Sequence, residues 1–239
     1  MKDNLYDSII IGAGHAGAEA ALSLSRRNFS VLLLTINLDS IAMMACNPSV
    51  GGTAKGQLIR EIDALGGEMG INSDKSLLQI RTLNLGKGPA VQSLRGQIDK
   101  TVYHREMKKT LEKDPLITLK QEEAIAILTE NNKVKGIKTA LGGIYYADSV
   151  IICTGVYLNS RIIIGDHTQD SGPSGMMNAK KLTESLMGMG LPLRRFKTGT
   201  PARVLRSSID FSAMEIQEGD PEINTFSFLN DEKLFDQQP

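Results

Sequence analysis

The first 35 positions combine two apolar runs with a segment of small residues between them. Ile9, Ile10 and Ile11 belong to a continuous apolar run, which is typical of a strand buried on both faces. An alanine-rich stretch with helical composition then extends to about Arg27, and a second apolar run, Val31–Thr35, follows. The pattern predicts a strand, a helix and a second strand in succession.

A glycine turn with the spacing G-x-G-x-x-G joins the first strand to the helix. In this motif the first glycine permits a tight turn, the second lets the backbone approach a pyrophosphate, and the third lets helix and strand pack closely. Phosphates meet the free N–H groups at the helix N-terminus. The positive potential of the same helix end disfavours the charged form of the His15 imidazole. The residues predicted to wrap a dinucleotide pyrophosphate are Gly12, Ala13, Gly14, His15, Ala16 and Gly17.

The end of the second strand departs from the usual dinucleotide site. An acidic residue about 20 positions after the glycines normally holds a ribose hydroxyl, but Thr35 and Asn37 occupy that region. Either can hydrogen-bond a ribose as a neutral partner, or Asp39 reaches back from the loop. The ribose partner stays open among these three residues.

Residues 40–70 combine a glycine-rich loop with a helical pattern. The loop carries Cys46 and is predicted to deliver it to a helix start, where the helix dipole and free N–H groups lower a thiol pKa. A P-loop interpretation of residues 51–56 fails, because that motif requires Lys after the last glycine and Gln57 stands there. Further on, a polar helix is predicted over about 93–112.

Strand-like periodicity begins at residue 117. Residues 117–147 are predicted to form an antiparallel meander that feeds a buried strand over 149–153. Thr154 and Gly155 follow that strand, at the carboxyl edge where open α/β sheets hold ligands. This order of motifs resembles the FAD domains of the glutathione-reductase-like class, and it favours FAD over NAD.

We therefore predict an α/β fold: a doubly wound, Rossmann-like FAD-binding domain over residues 1–197, which includes the meander. Residues 198–239 are predicted to begin an inserted second domain, associated with nicotinamide binding and truncated at the end of this chain.

Composition sets limits on partners and compartment. Among 239 residues, 27 Lys and Arg balance 27 Asp and Glu, so nucleic-acid contact requires a local patch. Such a patch for RNA or nicotinamide phosphate, or alternatively a charged domain junction, is predicted at Arg194, Arg195, Lys197, Arg203 and Arg206. The two cysteines fit neither disulfide nor metal spacing, which favours a reducing compartment, and no membrane span is predicted; we expect a cytoplasmic protein without metal.

Six segments taken together resemble one family across essentially the whole chain. They are the glycine turn from Gly12, the loop Met44-Ala-Cys46-Asn-Pro-Ser-Val-Gly-Gly, the stretch from Lys55 to Gly67, Lys87-Gly-Pro-Ala-Val, Arg95-Gly-Gln97-Ile-Asp99 and Lys197-Thr-Gly-Thr-Pro201. In this order and spacing they are similar to the GidA (MnmG) family.

The resemblance implies an FAD enzyme that modifies tRNA at the wobble uridine, adding a carboxymethylaminomethyl group to C5. It further implies NADH as reductant, methylene-tetrahydrofolate as carbon donor, a GTPase partner and a homodimer when full length. Members of the family are much longer than this chain.

The resemblance also implies roles for individual residues. Cys46 is the predicted catalytic nucleophile, with an inert buried cysteine as the alternative, whereas Cys153 is predicted to pack in the core. The backbone of Ala124 matches a family position that touches adenine. The remaining predicted cofactor-binding residues are Asn47, Gly51, Gly52, Thr154 and Gly155.

Three other functions remain open on the sequence. A folate- and FAD-dependent tRNA uridine methyltransferase shares the fold but usually carries an acidic residue after the second strand, where Thr35 stands here. A disulfide reductase is disfavoured because Cys46 has no nearby redox partner. The third alternative is a non-catalytic dinucleotide-binding module.

Overall fold

A computed structural model describes residues 4–222, 224–230 and 237. The strands in chain order are β1 (Leu5–Ile11), β2 (Val31–Thr35), β3 (Ser49–Gly51), β4 (Leu77–Leu83), β5 (Ser93–Ile98), β6 (Ile117–Gln121), β7 (Ala124–Glu130), β8 (Lys133–Thr139), β9 (Ile144–Ile152), β10 (Ile162–Ile164) and β11 (His167–Gln169). The α-helices are α1 (His15–Ser25), α2 (Gly56–Ala64), α3 (Met69–Lys75), α4 (Lys100–Lys113) and α5 (Lys181–Gly188).

The chain divides into two compact units. The first, called the nucleotide unit here, comprises residues 1–45 and 106–196; the second, called the cysteine-loop unit, comprises residues 46–105 and 197–239. Part of the segment predicted to begin a second domain, namely residues 223, 231–236, 238 and 239, lies outside the described residues.

The nucleotide unit is built on a six-stranded sheet in the order β6-β2-β1-β9-β8-β7. The first four strands of this order are parallel, and β8 and β7 continue it antiparallel. Strand β2 is buried at every residue, as expected for a parallel strand covered on both faces. The hydrophobic core of the nucleotide unit contains apolar residues of the sheet together with Leu182 and Leu186 of α5. The prediction of an α/β, Rossmann-like fold is confirmed.

The predicted meander is smaller than expected. Strand β6 pairs in parallel with β2, in the register Val31 with Ile117, so the prediction that the meander starts at residue 117 is wrong. The physical reason is that α4 precedes β6, and a helical crossover returns the chain to run parallel to its neighbours. Only β7, β8 and β9 form the meander, and the two strands predicted over 144–147 and 149–153 are one strand, β9.

The cysteine-loop unit contains a three-stranded antiparallel sheet in the order β3-β5-β4. The polar helix predicted over 93–112 is wrong in its first part, because β5 occupies residues 93–98 and α4 starts at Lys100. Asp99 sets this boundary, since its carboxylate accepts the Thr101 and Val102 N–H groups at 2.8 and 3.1 Å.

The core of this unit is closed by a segment from far along the chain. The Phe226 side chain is fully buried, and a Cβ placed on Gly96 of β5 would stand 2.9 Å from its ring. The carboxylate of Asp74 in α3 accepts the N–H groups of Phe226 and Ser227, and that of Asp63 in α2 accepts the N–H of Phe228. These hydrogen bonds attach residues 225–230 to the two helices.

Candidate functional site

The turn from β1 into α1 has the backbone geometry that the glycine motif requires. Gly12 has φ +105°, and a Cβ there would stand 2.3 Å from the Cys153 carbonyl oxygen. A Cβ on Gly17 would stand 1.8 Å from the Gly12 carbonyl oxygen, so the helix lies directly against the strand end. Both glycines are therefore required by packing inside the protein.

Gly14 differs from the other two, because its missing side chain leaves open space. It is exposed, has an extended backbone that any residue adopts (φ −73°, ψ −170°), and has no atom within 4 Å of a Cβ placed on it. It is the N-cap of α1, with no side-chain cap and no acidic residue in the first turn. A helix start of this kind presents N–H groups and positive potential to an anion.

His15, the first residue of α1, lies half-buried. Burial lowers the pKa of its imidazole, so the side chain is neutral at physiological pH. It contributes no charge to the turn, as the sequence predicts.

Strand β9 brings Thr154 and Gly155 to the same edge as the glycine turn. The Cys153 N–H donates to the Ile11 carbonyl at 2.8 Å, which places the chain after β9 beside the end of β1. Gly155 has φ +56°, is exposed, and has open space where a Cβ would stand. Thr154 is half-buried.

Two other residues of the nucleotide unit differ in burial. Ala124 begins β7 with its side chain buried in the core, so any ligand contact it makes uses its backbone. Cys153 is half-buried, and burial raises the pKa of its thiol.

The structure distinguishes the three candidates for the ribose partner. Thr35 is buried, and its hydroxyl donates to the Asn37 carbonyl at 3.0 Å. Asp39 lies on the surface and pairs with Lys108 at 3.0 Å. The Asn37 carboxamide accepts the Asp39 N–H at 2.8 Å and makes a 3.9 Å contact with the sulfur of Met176, a weak acceptor.

The Cys46 side chain is exposed, so the alternative of a buried cysteine is wrong, while its reactivity stays a prediction. Its thiol donates to the Gly199 carbonyl at 3.4 Å within the cysteine-loop unit, and the neighbouring Asn47 is also exposed. The helix predicted after the glycine-rich loop is present as α2, which begins at Gly56, but the prediction that the loop delivers Cys46 to the helix start is wrong, because β3 lies between them. Pairing of β3 with β5 competes with helix formation there, and sequence periodicity does not reveal it.

Gly51 and Gly52 both have positive φ, at 81° and 95°. A Cβ on Gly51 would stand 2.2 Å from the Leu94 carbonyl oxygen, so this glycine is required by packing. The Gly52 N–H donates to the same carbonyl at 2.7 Å. Gly52 is buried, although a Cβ on it would meet only the side chain of Arg95, at 4.0 Å.

The residues of the predicted basic patch are all exposed; four lie on irregular chain, and Arg206 begins a short 3₁₀ helix. Arg194 and Arg195 belong to the nucleotide unit, and Lys197, Arg203 and Arg206 to the cysteine-loop unit. Sequence reasoning missed a second pair of cations, Arg81 and Arg95, which face each other across β4 and β5. The alternating pattern Arg95-Gly-Gln97 was the available signal.

Neither a metal centre nor a membrane span is found in the part of the chain that the structure describes. Its residues include no group of three or more His, Cys, Asp or Glu placed to hold a metal ion. Within the same residues, no helix combines the length and apolar character needed to cross a bilayer.

The parallel sheet, the glycine turn and the meander together define a Rossmann-like protein of the FAD-binding fold class. The family model described as "Glucose inhibited division protein A" matches residues 7–239, and the chain belongs to this family. The resemblance to GidA (MnmG) is thereby confirmed.

Individual relatives agree with this assignment. The tRNA uridine 5-carboxymethylaminomethyl modification enzyme MnmG of Alkaliphilus metalliredigens is 57% identical over 233 residues, which cover 97% of this chain and 37% of that protein. The enzyme of the same name from Alkaliphilus oremlandii is 56% identical, covering 95% and 36%. A crystal structure of Aquifex aeolicus GidA matches with a TM-score of 0.92 at 44% identity, covering 95% of this chain and 38% of that one. The chain thus spans about 37% of the length of these curated relatives.

Proposed function

We propose that the nucleotide unit binds FAD, with its pyrophosphate on the turn between β1 and α1. The observation that carries this proposal is the contrast within the glycine motif. A Cβ on Gly12 or Gly17 would collide with protein backbone, whereas the Cβ position of Gly14 is open and lies at the N-terminus of α1. That space suits an approaching diphosphate.

Three further contacts are proposed for residues that follow β2 and β9 or begin β7. Asn37 is the proposed ribose partner, because the Thr35 hydroxyl is used inside the turn and Asp39 is paired with Lys108. Gly155 offers open backbone surface beside the glycine turn, and the Ala124 backbone is proposed to meet adenine. When bound, the flavin would supply redox and one-carbon chemistry.

For the whole protein we propose the activity for which the relatives are named, carboxymethylaminomethyl modification of tRNA uridine. NADH, methylene-tetrahydrofolate, a GTPase partner, a homodimer and a cytoplasmic location belong to this proposal, and family resemblance supports them. Residues 198–239 are proposed to begin the second, nicotinamide-associated domain.

Cys46 is the proposed nucleophile toward the uridine base. Its exposed sulfur supports this role, because a nucleophile must be reachable by a base taken out of its stack. Asn47, next to Cys46, is also exposed and is proposed to contact the cofactor or substrate. Gly52 is buried, and its contact with the cofactor stays a prediction.

The test is FAD binding by this chain and by Gly14→Leu. The variant keeps an allowed backbone with no clash, so its melting temperature should fall only slightly, by the small cost of replacing Gly with Leu at an N-cap, while FAD affinity falls more than about tenfold. Gly86→Leu is the matched control, since Gly86 also has open space but lies in the cysteine-loop unit. Absence of FAD binding by the unmodified chain, or equal binding by Gly14→Leu, contradicts the proposal.

The tRNA activity needs a separate test. We expect that a chimera in which this chain replaces the matching part of the Alkaliphilus metalliredigens enzyme will modify wobble uridine, as measured by nucleoside mass spectrometry. Cys46→Ser in that chimera should preserve flavin absorbance and abolish the modified nucleoside. Full modification by the variant would remove Cys46 from the proposed chemistry.

A further inference from the structure

The chain that follows β2 folds back around the backbone of Asn37. The Asn37 carbonyl accepts three hydrogen bonds, from the Thr35 hydroxyl at 3.0 Å, the Ser40 hydroxyl at 2.8 Å and the Ser40 N–H at 3.1 Å. We call residues 36–42 the ribose loop, because they contain the proposed ribose partner.

The Asn37 side chain has a fixed polarity within this loop. Its carboxamide oxygen accepts the Asp39 N–H at 2.8 Å. Its NH₂ group carries two N–H donors and lies 3.9 Å from the Met176 sulfur, which is a weak acceptor. A donor is therefore directed away from the loop backbone, and a ribose hydroxyl oxygen is an acceptor of the kind it needs.

The far end of the ribose loop is tied to the glycine turn. The Ala42 N–H donates to the Ala13 carbonyl at 2.9 Å, and the Ala42 side chain is fully buried. Ala42 has φ +49°, a left-handed conformation that is uncommon for a residue with a side chain and persists only where the surroundings fix it. This end of the loop is therefore held against the proposed pyrophosphate site.

A side chain from β6 ties down the start of the same loop. Gln121 is the last residue of β6, and its carboxamide oxygen accepts the Leu38 N–H at 3.0 Å, across 83 positions of sequence. Leu38 directly follows Asn37. Strand register also places Gln121 beside Thr35, at the ends of two paired parallel strands. The hydrogen bond thus holds the backbone next to Asn37 at the carboxyl edge of the sheet.

Gln121 also lies close to the proposed adenine contact. It stands three residues before Ala124, so the Cα atoms of the two residues are at most about 11 Å apart. Ala124 is paired with Thr139, and the Glu123 carbonyl accepts the Ala140 N–H at 2.9 Å, so the chain at Ala124 is held by the end of β8. Gln121 therefore links the loop that carries the proposed ribose contact to the chain that carries the proposed adenine contact.

We infer that Gln121 is a positioning residue for the adenosine half of the cofactor: through the Leu38 N–H it holds Asn37 where the carboxamide donates to a ribose hydroxyl. This inference rests on the proposed binding of FAD and on Asn37 as the ribose partner. A loop that is held before the ligand arrives loses less conformational entropy on binding.

The test compares the affinities of ADP and 2′,3′-dideoxy-ADP for this chain, measured by displacement of FAD. The two nucleotides share adenine and diphosphate, so the ratio of their affinities isolates the ribose hydroxyls. A neutral hydrogen bond makes a modest contribution, and we expect the unmodified chain to prefer ADP by about threefold to tenfold. Gln121→Leu removes the acceptor and should bring the ratio close to one. Its melting temperature should change little, because Gln121 is exposed.

Two variants test the specificity of this effect. Gln121→Glu keeps an acceptor for the Leu38 N–H and removes the amide donor, so it should preserve the ratio; a direct contact between the Gln121 NH₂ group and the ribose would instead be lost. The added charge acts on both nucleotides alike and cancels in the ratio. Gln169→Leu, at an exposed position of β11 in the same unit, is the matched control and should bind both nucleotides as the unmodified chain does.

Asn37→Ala tests the route of the effect. Because Gln121 is inferred to act through Asn37, adding Gln121→Leu to Asn37→Ala should lower the ratio no further. A further decrease overturns the inference. An unchanged ratio in Gln121→Leu, or loss of the preference in Gln121→Glu, overturns it as well.

Failure of the inference is distinguishable from failure of the proposed function. A chain that binds FAD but binds the two nucleotides equally overturns this inference together with the assignment of Asn37, and leaves FAD binding intact. A chain that binds neither FAD nor ADP contradicts the proposed function itself, and the inference falls with it.

Discussion

The carbonyl oxygen of Cys153 lies 2.3 Å from the point where a Cβ on Gly12 would stand. This oxygen belongs to rigid backbone at the end of β9, so it cannot move aside as a flexible side chain would. The contact explains why the first glycine of the turn is a requirement of the fold as well as of a ligand.

Gly12→Ala should therefore destabilise the protein strongly. A non-glycine residue at φ +105° is strained by about 1–3 kcal/mol, and overpacking costs about 1–3 kcal/mol more. Urea denaturation followed by circular dichroism measures the loss. Gly14→Ala is the control and should unfold like the unmodified protein; equal stability of both variants would contradict the packing argument.

The two cysteines should differ in alkylation. Cys46 is exposed, whereas Cys153 is half-buried, and burial raises the pKa of its thiol, which lowers its thiolate fraction at neutral pH. Peptide mass spectrometry after brief iodoacetamide treatment should find label on Cys46 first. Cys46→Ser should remove the fast phase and Cys153→Ser should keep it. Faster labelling of Cys153 would show that its surroundings are more open than described.

Local pattern is sufficient to predict much of the nucleotide unit. The apolar runs of β1 and β2 and the glycine spacing are set by residues adjacent in sequence, and the structure places them as predicted. The register of distant segments is not predictable in this way. The alternation of β5 is too short to distinguish it from a helix, and its partner Phe226 lies 130 positions beyond Gly96.

The same limit applies to the candidate sites. The pair Arg81 and Arg95 depends on the register between β4 and β5, which sequence spacing does not specify. Conversely, family resemblance alone selects Cys46 as a candidate, while its exposure and the strand after it require the structure.

The contact of Gly96 with Phe226 should appear as an energetic coupling. Gly96→Ala places a methyl group 2.5 Å from Leu77 Cδ1 and 2.9 Å from the Phe226 ring, and should cost about 1–3 kcal/mol. Phe226→Leu should cost less in the Gly96→Ala variant than in the unmodified protein, because the smaller side chain makes room for the added methyl group. Urea denaturation of the double-mutant cycle should give a coupling of at least about 0.5 kcal/mol, and strict additivity would contradict the contact.

Asp74 should stabilise the attachment of residues 225–230. Its carboxylate accepts the Phe226 N–H at 2.8 Å, the Ser227 N–H at 2.9 Å and the Asn230 side-chain amide at 2.8 Å. Asp74→Asn replaces one acceptor by an NH₂ group facing a donor, and should cost about 1–3 kcal/mol at about pH 7. Limited proteolysis should then cut this segment faster.

The pH dependence gives a sharper test of the same carboxylate. Burial, and to a smaller degree the charge of Asp63, raises the pKa of Asp74 above its ordinary value of 3.8. The folded state therefore holds this proton more tightly than the unfolded chain, and as pH rises from about 4 through the raised pKa this carboxyl lowers the free energy of unfolding. Asp74→Asn lacks that decrease, so the stability difference between unmodified protein and variant should shrink with rising pH. Asp210→Asn should show the opposite trend, because hydrogen bonds from Ser212 lower the pKa of that exposed carboxyl. A difference for Asp74→Asn that grows with pH would mean that this carboxylate is more stable charged inside the protein than in water.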